Sequence, residues 1–195
     1  LDENRQDRLA WRKGDRVTRW TWDKAVQVLA EKIRSLMFHR RMDRIGIVLH
    51  TNLTNEELFL ADRIFRKSLG LNRFWVADPP RGQGDGFLFT PDRTANRRGL
   101  QEIGLPVEAA EPRSFVGLEL LFIFGPYLVA GAGIADLKNA LEKVQTKALF
   151  STHKSGLDGL VDFVIPVPVI AEKSGSLTNI DGRIQAFAPA LDFEG

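Results

Sequence analysis

Three short polar turns hold the side chains in this sequence that are best suited to bind a ligand. Each turn follows an apolar run of strand composition, and together they supply hydroxyl, amide and imidazole groups that can hydrogen-bond a phosphate or an amide. The candidate binding residues are His50, Thr51, Asn52, Gly125, Thr152 and His153. Doubly wound α/β sheets bind ligands beyond the carboxyl ends of their strands, near the point where the strand order reverses. These residues are therefore candidates for a ligand cleft if the three strands are neighbours, although helix caps and turns prefer the same residue types and explain them without a ligand.

The sequence predicts no metal site and no catalytic residue. It contains no cysteine, which excludes disulfides, thiolate zinc sites and cysteinyl iron–sulfur clusters within these residues. The three histidines, at positions 39, 50 and 153, lack the spacing of a metal-binding pair. No Gly-x-x-x-x-Gly-Lys phosphate loop and no Gly-x-Ser-x-Gly nucleophile turn occurs. The glycines from Gly125 to Gly133 lack the compact Gly-x-Gly-x-x-Gly spacing, so a nicotinamide site is not expected.

The charge and hydropathy of the chain argue against two further classes of protein. Lysine and arginine are dispersed among acidic residues and the formal net charge is +2, so no nucleic-acid partner is expected. The longest apolar run, residues 120–124, is far shorter than the ~18 residues of a membrane-spanning helix, so no direct membrane insertion is expected. The cluster of Arg93, Arg97 and Arg98 could contact an acidic partner, although a solvated loop has the same composition.

Two helices and one strand are predicted in the first part of the chain. Thr21 is the predicted N-cap of the first helix, and Thr54 and Glu57 form a capping box for the second, which Gly70 ends. Residues 45–49 (Ile-Gly-Ile-Val-Leu) have the composition of a strand covered on both faces, which indicates parallel pairing. The predicted buried stripes are Val26, Leu29, Ala30, Ile33, Leu36 and Met37 on the first helix and Leu58, Ala61, Ile64, Phe65 and Leu69 on the second.

The rest of the chain continues this alternation. Strands are predicted over residues 74–77, 118–124, 147–151 and 162–166, and a long loop over residues 79–96. A third amphipathic helix is indicated by Ile134, Leu137, Leu141 and Val144. Helices alternating with short apolar strands predict an α/β fold, a mostly parallel sheet with helices on both faces. We expect one domain over residues 1–195 rather than a boundary within residues 79–91, because either half alone would have only about two strands and an exposed sheet face.

A β-hairpin is predicted near the C-terminus, within residues 171–185. Asp181 and Gly182 form a pair that tolerates the positive φ of a tight reversal, and Leu177 and Ile184 are apolar positions on either side. Glu172 precedes this turn. We expect its carboxylate to accept backbone N–H groups or to pair with Lys173 or Arg183.

Four segments, taken in order, resemble one enzyme superfamily. They are residues 8–14 with 20–25, residues 53–58 (Leu-Thr-Asn-Glu-Glu-Leu) with 69–72, residues 85–88 with 91–99 (Pro-Asp-Arg-Thr-Ala-Asn-Arg-Arg-Gly), and residues 171–185 (Ala-Glu-Lys-Ser-Gly-Ser-Leu-Thr-Asn-Ile-Asp-Gly-Arg-Ile-Gln). Together they are similar to the molybdopterin oxidoreductase superfamily, and within it to the large iron–sulfur subunit of NADH:quinone oxidoreductase, complex I. Each segment is a weak match alone, but four in one order make a chance match unexpected.

The resemblance implies a Rossmann-like sheet of the kind found in the core domains of formate dehydrogenase and DMSO reductase. It also implies a degenerate domain without catalysis, located in the hydrophilic arm on the cytoplasmic or matrix side of the inner membrane. Its partners would be other subunits of a respiratory complex. Electron transfer would be carried by iron–sulfur clusters elsewhere in the parent protein, of which this chain would be a fragment without a cofactor of its own.

Two alternatives remain open. The chain could be a fragment of a pterin-dependent molybdenum or tungsten oxidoreductase such as a formate dehydrogenase, in which the resemblance implies that equivalent strand ends cradle molybdopterin. It could also be a stand-alone α/β module that binds a nucleotide-like ligand.

Overall fold

A computed structural model describes residues 3–14, 16–77, 82–85, 87, 91–92, 94–106, 108–129 and 132–192. The strands are β1 (Ala10–Lys13), β2 (Arg16–Arg19), β3 (Ile45–Leu49), β4 (Phe74–Val76), β5 (Leu120–Phe124), β6 (Thr146–Ser151), β7 (Phe163–Pro166), β8 (Gly175–Thr178) and β9 (Ile184–Phe187). The helices are α1 (Trp22–Phe38), α2 (Asn55–Ala61), α3 (Arg97–Glu102) and α4 (Ile134–Leu141). A π-helical segment, Asp62–Ser68, continues α2.

Seven strands form one mixed sheet in the order β2-β1-β7-β6-β5-β3-β4. The five strands from β7 to β4 are parallel, while β1 pairs antiparallel with both β7 and β2. The predicted α/β fold with a mostly parallel sheet is confirmed in this coarser form. The antiparallel β1–β2 pair was not predicted, because its arginine and lysine side chains hide the apolar alternation that signals a strand.

Helices cover both faces of the sheet. Alternate residues of the parallel strands enter two separate apolar clusters, as Ile47 and Val48 of β3 do, because successive side chains of a strand point to opposite faces. Buried side chains of α1, α2 and α3 belong to the first cluster, and those of α4 belong to the second. Both faces of the central strands are therefore removed from water, which explains why every residue of β3 is buried.

The predicted helix caps are present. Thr21 Oγ1 accepts the Lys24 N–H at the start of α1. At the start of α2, Thr54 Oγ1 accepts the Glu57 N–H (3.1 Å) and Glu57 Oε2 accepts the Thr54 N–H (2.8 Å). This reciprocal pair satisfies backbone donors that a helix N-terminus leaves without intrahelical partners, so the capping box is confirmed.

Parts of the predicted buried stripes are wrong. Leu29 and Leu36 of α1 are buried as predicted, but Val26 and Met37 are 57% and 48% exposed, because the buried face is centred nearer to Ala25. Ile64 is 50% exposed, since the π-helical turn changes the angular spacing beyond Ala61 and breaks the period of 3.6 on which the prediction depended.

The predicted third amphipathic helix, which is α4 in the structure, and the predicted long loop are confirmed only in part. Ile134, predicted on the buried face of α4, is half exposed, whereas Leu137 and Leu141 are buried. The short helix α3 was not predicted, and it begins directly after Asn96, where the loop was expected to end. Within that loop, residues 79–81, 86, 88–90 and 93 lie outside the described residues, as do the C-terminal residues 193–195 of the predicted domain.

The predicted C-terminal hairpin is confirmed. Strands β8 and β9 pair antiparallel, with Leu177 opposite Gln185, in a separate two-stranded sheet. Gly182 has φ +83°, a conformation that glycine adopts without a steric penalty, and the Asn179 N–H donates to the Arg183 carbonyl across the turn (2.9 Å). Within the described ranges, no helix is both long and apolar enough to cross a membrane.

Candidate functional site

The strand order reverses between β3 and β5. From β3 the chain passes through α2 to β4 on one side, and it then returns across β3 to β5, α4 and β6 on the other. Right-handed crossovers in opposite directions put α2 and α4 on opposite faces of the sheet. The crevice beyond the carboxyl ends of β3 and β5 is therefore the position where a doubly wound sheet binds a ligand.

The predicted turns after β3 (residues 50–52) and after β5 (beginning at Gly125) meet at this crevice. Gly125 has φ +110°, and a Cβ placed on it would lie 2.8 Å from His50 Cβ, so only glycine fits against the imidazole. The rings of His50 and Tyr127 stack with their centroids 5.5 Å apart and their planes 16° apart. His50 Nδ1 accepts the Asn52 N–H (3.0 Å). His50 and Thr51 are buried, whereas Asn52 is exposed.

The predicted turn after β6 (residues 152–153) lies beside the N-terminal segment of the chain instead. Strand β6 neighbours β5 as expected, but residues 152–154 are bonded to the N-terminal segment of the chain. The Gln6 N–H donates to the Thr152 carbonyl (2.9 Å), and Arg5 bridges to His153. Thr152 Oγ1 and His153 Nδ1 lie 2.9 Å apart. Thr152 and His153 are therefore held by residues from the start of the chain.

The carboxyl edge of the sheet is also crossed by the segment that leads into the hairpin. Beyond β7, the Val167 N–H donates to the Ser151 carbonyl at the end of β6 (3.2 Å). Lys173 Nζ then pairs with both carboxylate oxygens of Glu57 in α2, each at 2.7 Å. This segment therefore runs past the strand ends from β7 to the N-terminus of α2.

Glu172 anchors this crossing segment. Its Oε2 accepts the Val169 N–H (2.8 Å), as predicted for a carboxylate near a turn. Its ion-pair partner is Arg5 rather than the alternative partners Lys173 and Arg183, and the Arg5 guanidinium also donates to the Val167 carbonyl. No local pattern indicates this pair, since its two members are 167 positions apart.

A buried polar network joins the hairpin to α2 and α3. Asn96 Nδ2 donates to the Leu53 carbonyl (2.8 Å) and to Asn55 Oδ1 (3.0 Å). Asn96 Oδ1 accepts the Thr178 N–H (2.8 Å), and Thr178 Oγ1 donates to Asn55 Oδ1 (3.2 Å). Asn55 Nδ2 in turn donates to Ser176 Oγ (3.1 Å). Asn96 is completely buried, so this network replaces the water that its amide would otherwise bind.

The carboxylate of Glu56 extends the network. Its oxygens accept the Ser176 N–H (2.9 Å) and the Ser176 hydroxyl (2.7 Å). Partial burial would raise the pKa of Glu56, but these hydrogen bonds outweigh burial and hold the pKa below its ordinary value. The charged carboxylate is therefore the form that fastens β8 to the first turn of α2.

Two glycines allow the close approach that the network needs. A Cβ on Gly99 of α3 would lie 2.1 Å from Asn55 Oδ1 and 2.2 Å from Asn96 Oδ1. A Cβ on Gly175 would lie 2.8 Å from Thr54 Cγ2. Both glycines belong to the segments that carry the family resemblance, but their spatial role could not be read from the sequence because it depends on long-range packing.

Two cavities of similar size lie away from the strand ends. One, of about 410 Å³, is formed by residues 92–101 and the hairpin tip. In it, the Arg97 guanidinium contacts Asp92 (2.7 Å), and Arg98 pairs with Glu102 (2.6 Å). Burial would raise the pKa of Asp92, but the Thr94 hydrogen bonds and Arg97 outweigh it and lower the pKa. Arg93 lies outside the described residues, so contact of this arginine cluster with an acidic partner stays a prediction.

The second cavity, of about 400 Å³, lies between α4 and residues 112–116. Over the parts of the chain that the structure describes, no group of three or more histidine, aspartate or glutamate side chains is close enough to hold a metal ion. Two locations in the described residues bring polar side chains together: the strand-end crevice at His50 and the buried network at Asn96.

Comparison with known proteins does not assign the chain to a family. No protein-family model matches it, and no curated protein matches it either.

Proposed function

We propose that this chain is a non-catalytic, Rossmann-like domain of the molybdopterin oxidoreductase type, from the large iron–sulfur subunit of an NADH:quinone oxidoreductase. It contributes packing surface to the hydrophilic arm of that complex. Electron transfer is carried by iron–sulfur domains of the parent protein outside these residues, and the neighbouring subunits are its partners.

The buried network is the observation that carries this proposal. Three of the four segments on which the resemblance depends meet there, through Asn55, Asn96 and Thr178. Their polar side chains bond to one another and fasten the hairpin to α2 and α3. A structural role is therefore sufficient to explain why these residue types occur in these segments.

The strand ends support the same proposal. Gly125 lies against His50, and Thr152 and His153 are bonded to residues 5 and 6 of the N-terminal segment. Beyond β7, the Val167 N–H also donates to the Ser151 carbonyl at the end of β6. The polar groups at the ends of β6 and β7 are therefore used in contacts within the chain, as a structural role would require.

The composition of the native complex tests the proposal. The full-length parent protein would be purified from its source, its co-purifying chains identified by mass spectrometry, and molybdenum and tungsten measured in the same fractions. Flavin and iron–sulfur subunits without either metal are the expected result. Stoichiometric molybdenum or tungsten with a pterin would refute it, and would favour the pterin-dependent oxidoreductase instead.

A stand-alone ligand-binding module is the second candidate, and the ring stack at the switch point favours it. Tyr127 is partly exposed over His50, so a planar base could stack on its outer face. Thermal unfolding with ATP, NADH and FMN would test this, with Tyr127→Ala as the matched variant. Stabilisation that disappears in Tyr127→Ala would support the module, and no stabilisation by any of the three would reject it.

A further inference from the structure

The C-terminal hairpin has two outer edges of different character. On the β8 side, the outward N–H groups of Ser176 and Thr178 donate to the Glu56 carboxylate (2.9 Å) and to the Asn96 amide oxygen (2.8 Å). Side chains of α2 and of the residue before α3 therefore occupy the donors that another strand would need. The β8 edge is closed.

The β9 edge is open within the described chain. In an antiparallel pair, residues that exchange hydrogen bonds alternate with residues whose N–H and C=O groups point away from the partner strand. Because the Asn179 N–H donates to the Arg183 carbonyl, the next bonded pair is Leu177 with Gln185. Ile184 and Ala186 consequently direct their N–H and C=O groups away from β8, and no described strand pairs with them there.

The other sheet edges carry protection that β9 lacks. The edge of β4 is covered by residues 108–110, through Val76 N–H to the Glu108 carbonyl (2.8 Å). Strand β2 begins and ends with exposed arginine side chains. Strand β9 has the sequence Ile-Gln-Ala-Phe, without a charge or a proline, and three of its four residues are exposed. Natural edge strands without such protection are templates for pairing with another chain.

We propose that β9 is the surface through which two copies of this chain associate, by antiparallel pairing of β9 with β9 of the second copy. A two-fold axis at Gln185 places Ile184 of one copy opposite Ala186 of the other, and these are the residues whose backbone groups point outward. In this register Arg183 faces Phe187 of the second copy, so no like charges meet. The uncharged strand is thus complementary to itself.

Side-chain burial adds to the backbone bonds. Ile184 is 71% exposed in the single chain, and in the paired register it packs beside the small Ala186 of the second copy. The two hairpins become one four-stranded sheet, in which both β8 strands remain closed at the outer edges. Pairing therefore stops at two copies and does not continue into a fibre.

Analytical ultracentrifugation from about 1 µM to about 1 mM, the range of weak association, tests this inference. Ala186→Pro removes an outward N–H and leaves the Leu177–Gln185 pair intact, while Ile184→Lys puts a charge in the pairing edge. Ile180→Lys is the matched control, because Ile180 is 65% exposed, close to the 71% of Ile184, but lies outside the strand. Far-ultraviolet circular dichroism checks that each variant is folded.

The expected result is a wild-type mass that rises from one copy to two, with both edge variants remaining single and Ile180→Lys behaving as the wild type. Amide hydrogen exchange at Ile184 and Ala186 should slow as concentration rises, while exchange at Gln185 should stay unchanged. A single copy at all concentrations would overturn the inference. So would a dimer that persists in Ile184→Lys, which keeps the test valid even if Ala186→Pro disturbs the hairpin.

Discussion

Replacement of Gly99 by alanine should destabilise the protein, although the same change in an ordinary helix stabilises it. The new Cβ would lie 2.1 Å from Asn55 Oδ1 and 2.2 Å from Asn96 Oδ1. Asn96 is buried and Asn55 is partly buried, and their side chains bond to each other and to the hairpin, so neither oxygen can move without breaking hydrogen bonds. The steric conflict therefore becomes a loss of polar contacts inside the network.

The magnitude follows from those contacts. Asn55 Oδ1 accepts from Asn96 Nδ2 and Thr178 Oγ1, and Asn96 Oδ1 accepts from the Thr178 N–H. Losing two such buried bonds costs about 2–4 kcal/mol. The higher helix propensity of alanine returns about 1 kcal/mol. We expect a net decrease in the free energy of unfolding of about 1–3 kcal/mol.

Urea denaturation followed by circular dichroism measures this change. Gly159→Ala is the matched control, because Gly159 has ordinary backbone φ and nothing lies within 4 Å of its added Cβ, so it should be close to neutral. In an Asn96→Ala background, Gly99→Ala should cost less, since one of the two clashing oxygens is gone. A Gly99→Ala protein as stable as the wild type would refute the packing argument.

Three further substitutions have expected outcomes in the same denaturation assay. Glu56→Gln should make the free energy of unfolding fall less steeply in acid. The pKa of Glu56 is lowered in the folded state, so the carboxylate stabilises the fold above its ordinary pKa of about 4.3, and this stabilisation disappears as pH falls through the folded-state pKa. An unchanged acid limb would contradict this. Gly125→Ala should cost about 2 kcal/mol or more, because φ is +110° and the Cβ would meet His50, and a neutral effect would count against the geometry. Arg40→Gly should stabilise the protein by about 0.5–1 kcal/mol, because Arg40 has φ +55° just beyond α1, and a loss of stability would contradict this.

Local sequence signals predicted the elements whose structure depends on near neighbours. The capping box of α2 needs only Thr54 and Glu57, and the hairpin turn needs only a residue pair that tolerates positive φ at Gly182. The buried composition of residues 45–49 predicted a strand covered on both faces. Each of these signals is contained within a few residues, so chain folding elsewhere does not alter it.

Elements that depend on long-range packing could not be predicted in this way. The side chains of β1 and β2 show little apolar alternation, and their pairing depends on β7, which is far away in the sequence. The predicted burial of Val26 was wrong because the helical period does not fix which residues at the border of an apolar stripe the sheet covers. The π-helical segment after Ala61 has no signal in the apolar pattern, and it moved Ile64 to the surface.

The candidate cleft and the hairpin motif were separate predictions, but they lie along the same edge of the sheet. Glu172 and Lys173 fix the chain between β7 and α2, on the path that crosses the carboxyl ends of the strands. The strand ends alone indicate a candidate cleft, but they do not indicate that distant segments lie beside the ends of β6 and β7. The pair of Arg5 and Glu172 joins two such segments, and no local pattern reveals it because its members are 167 positions apart.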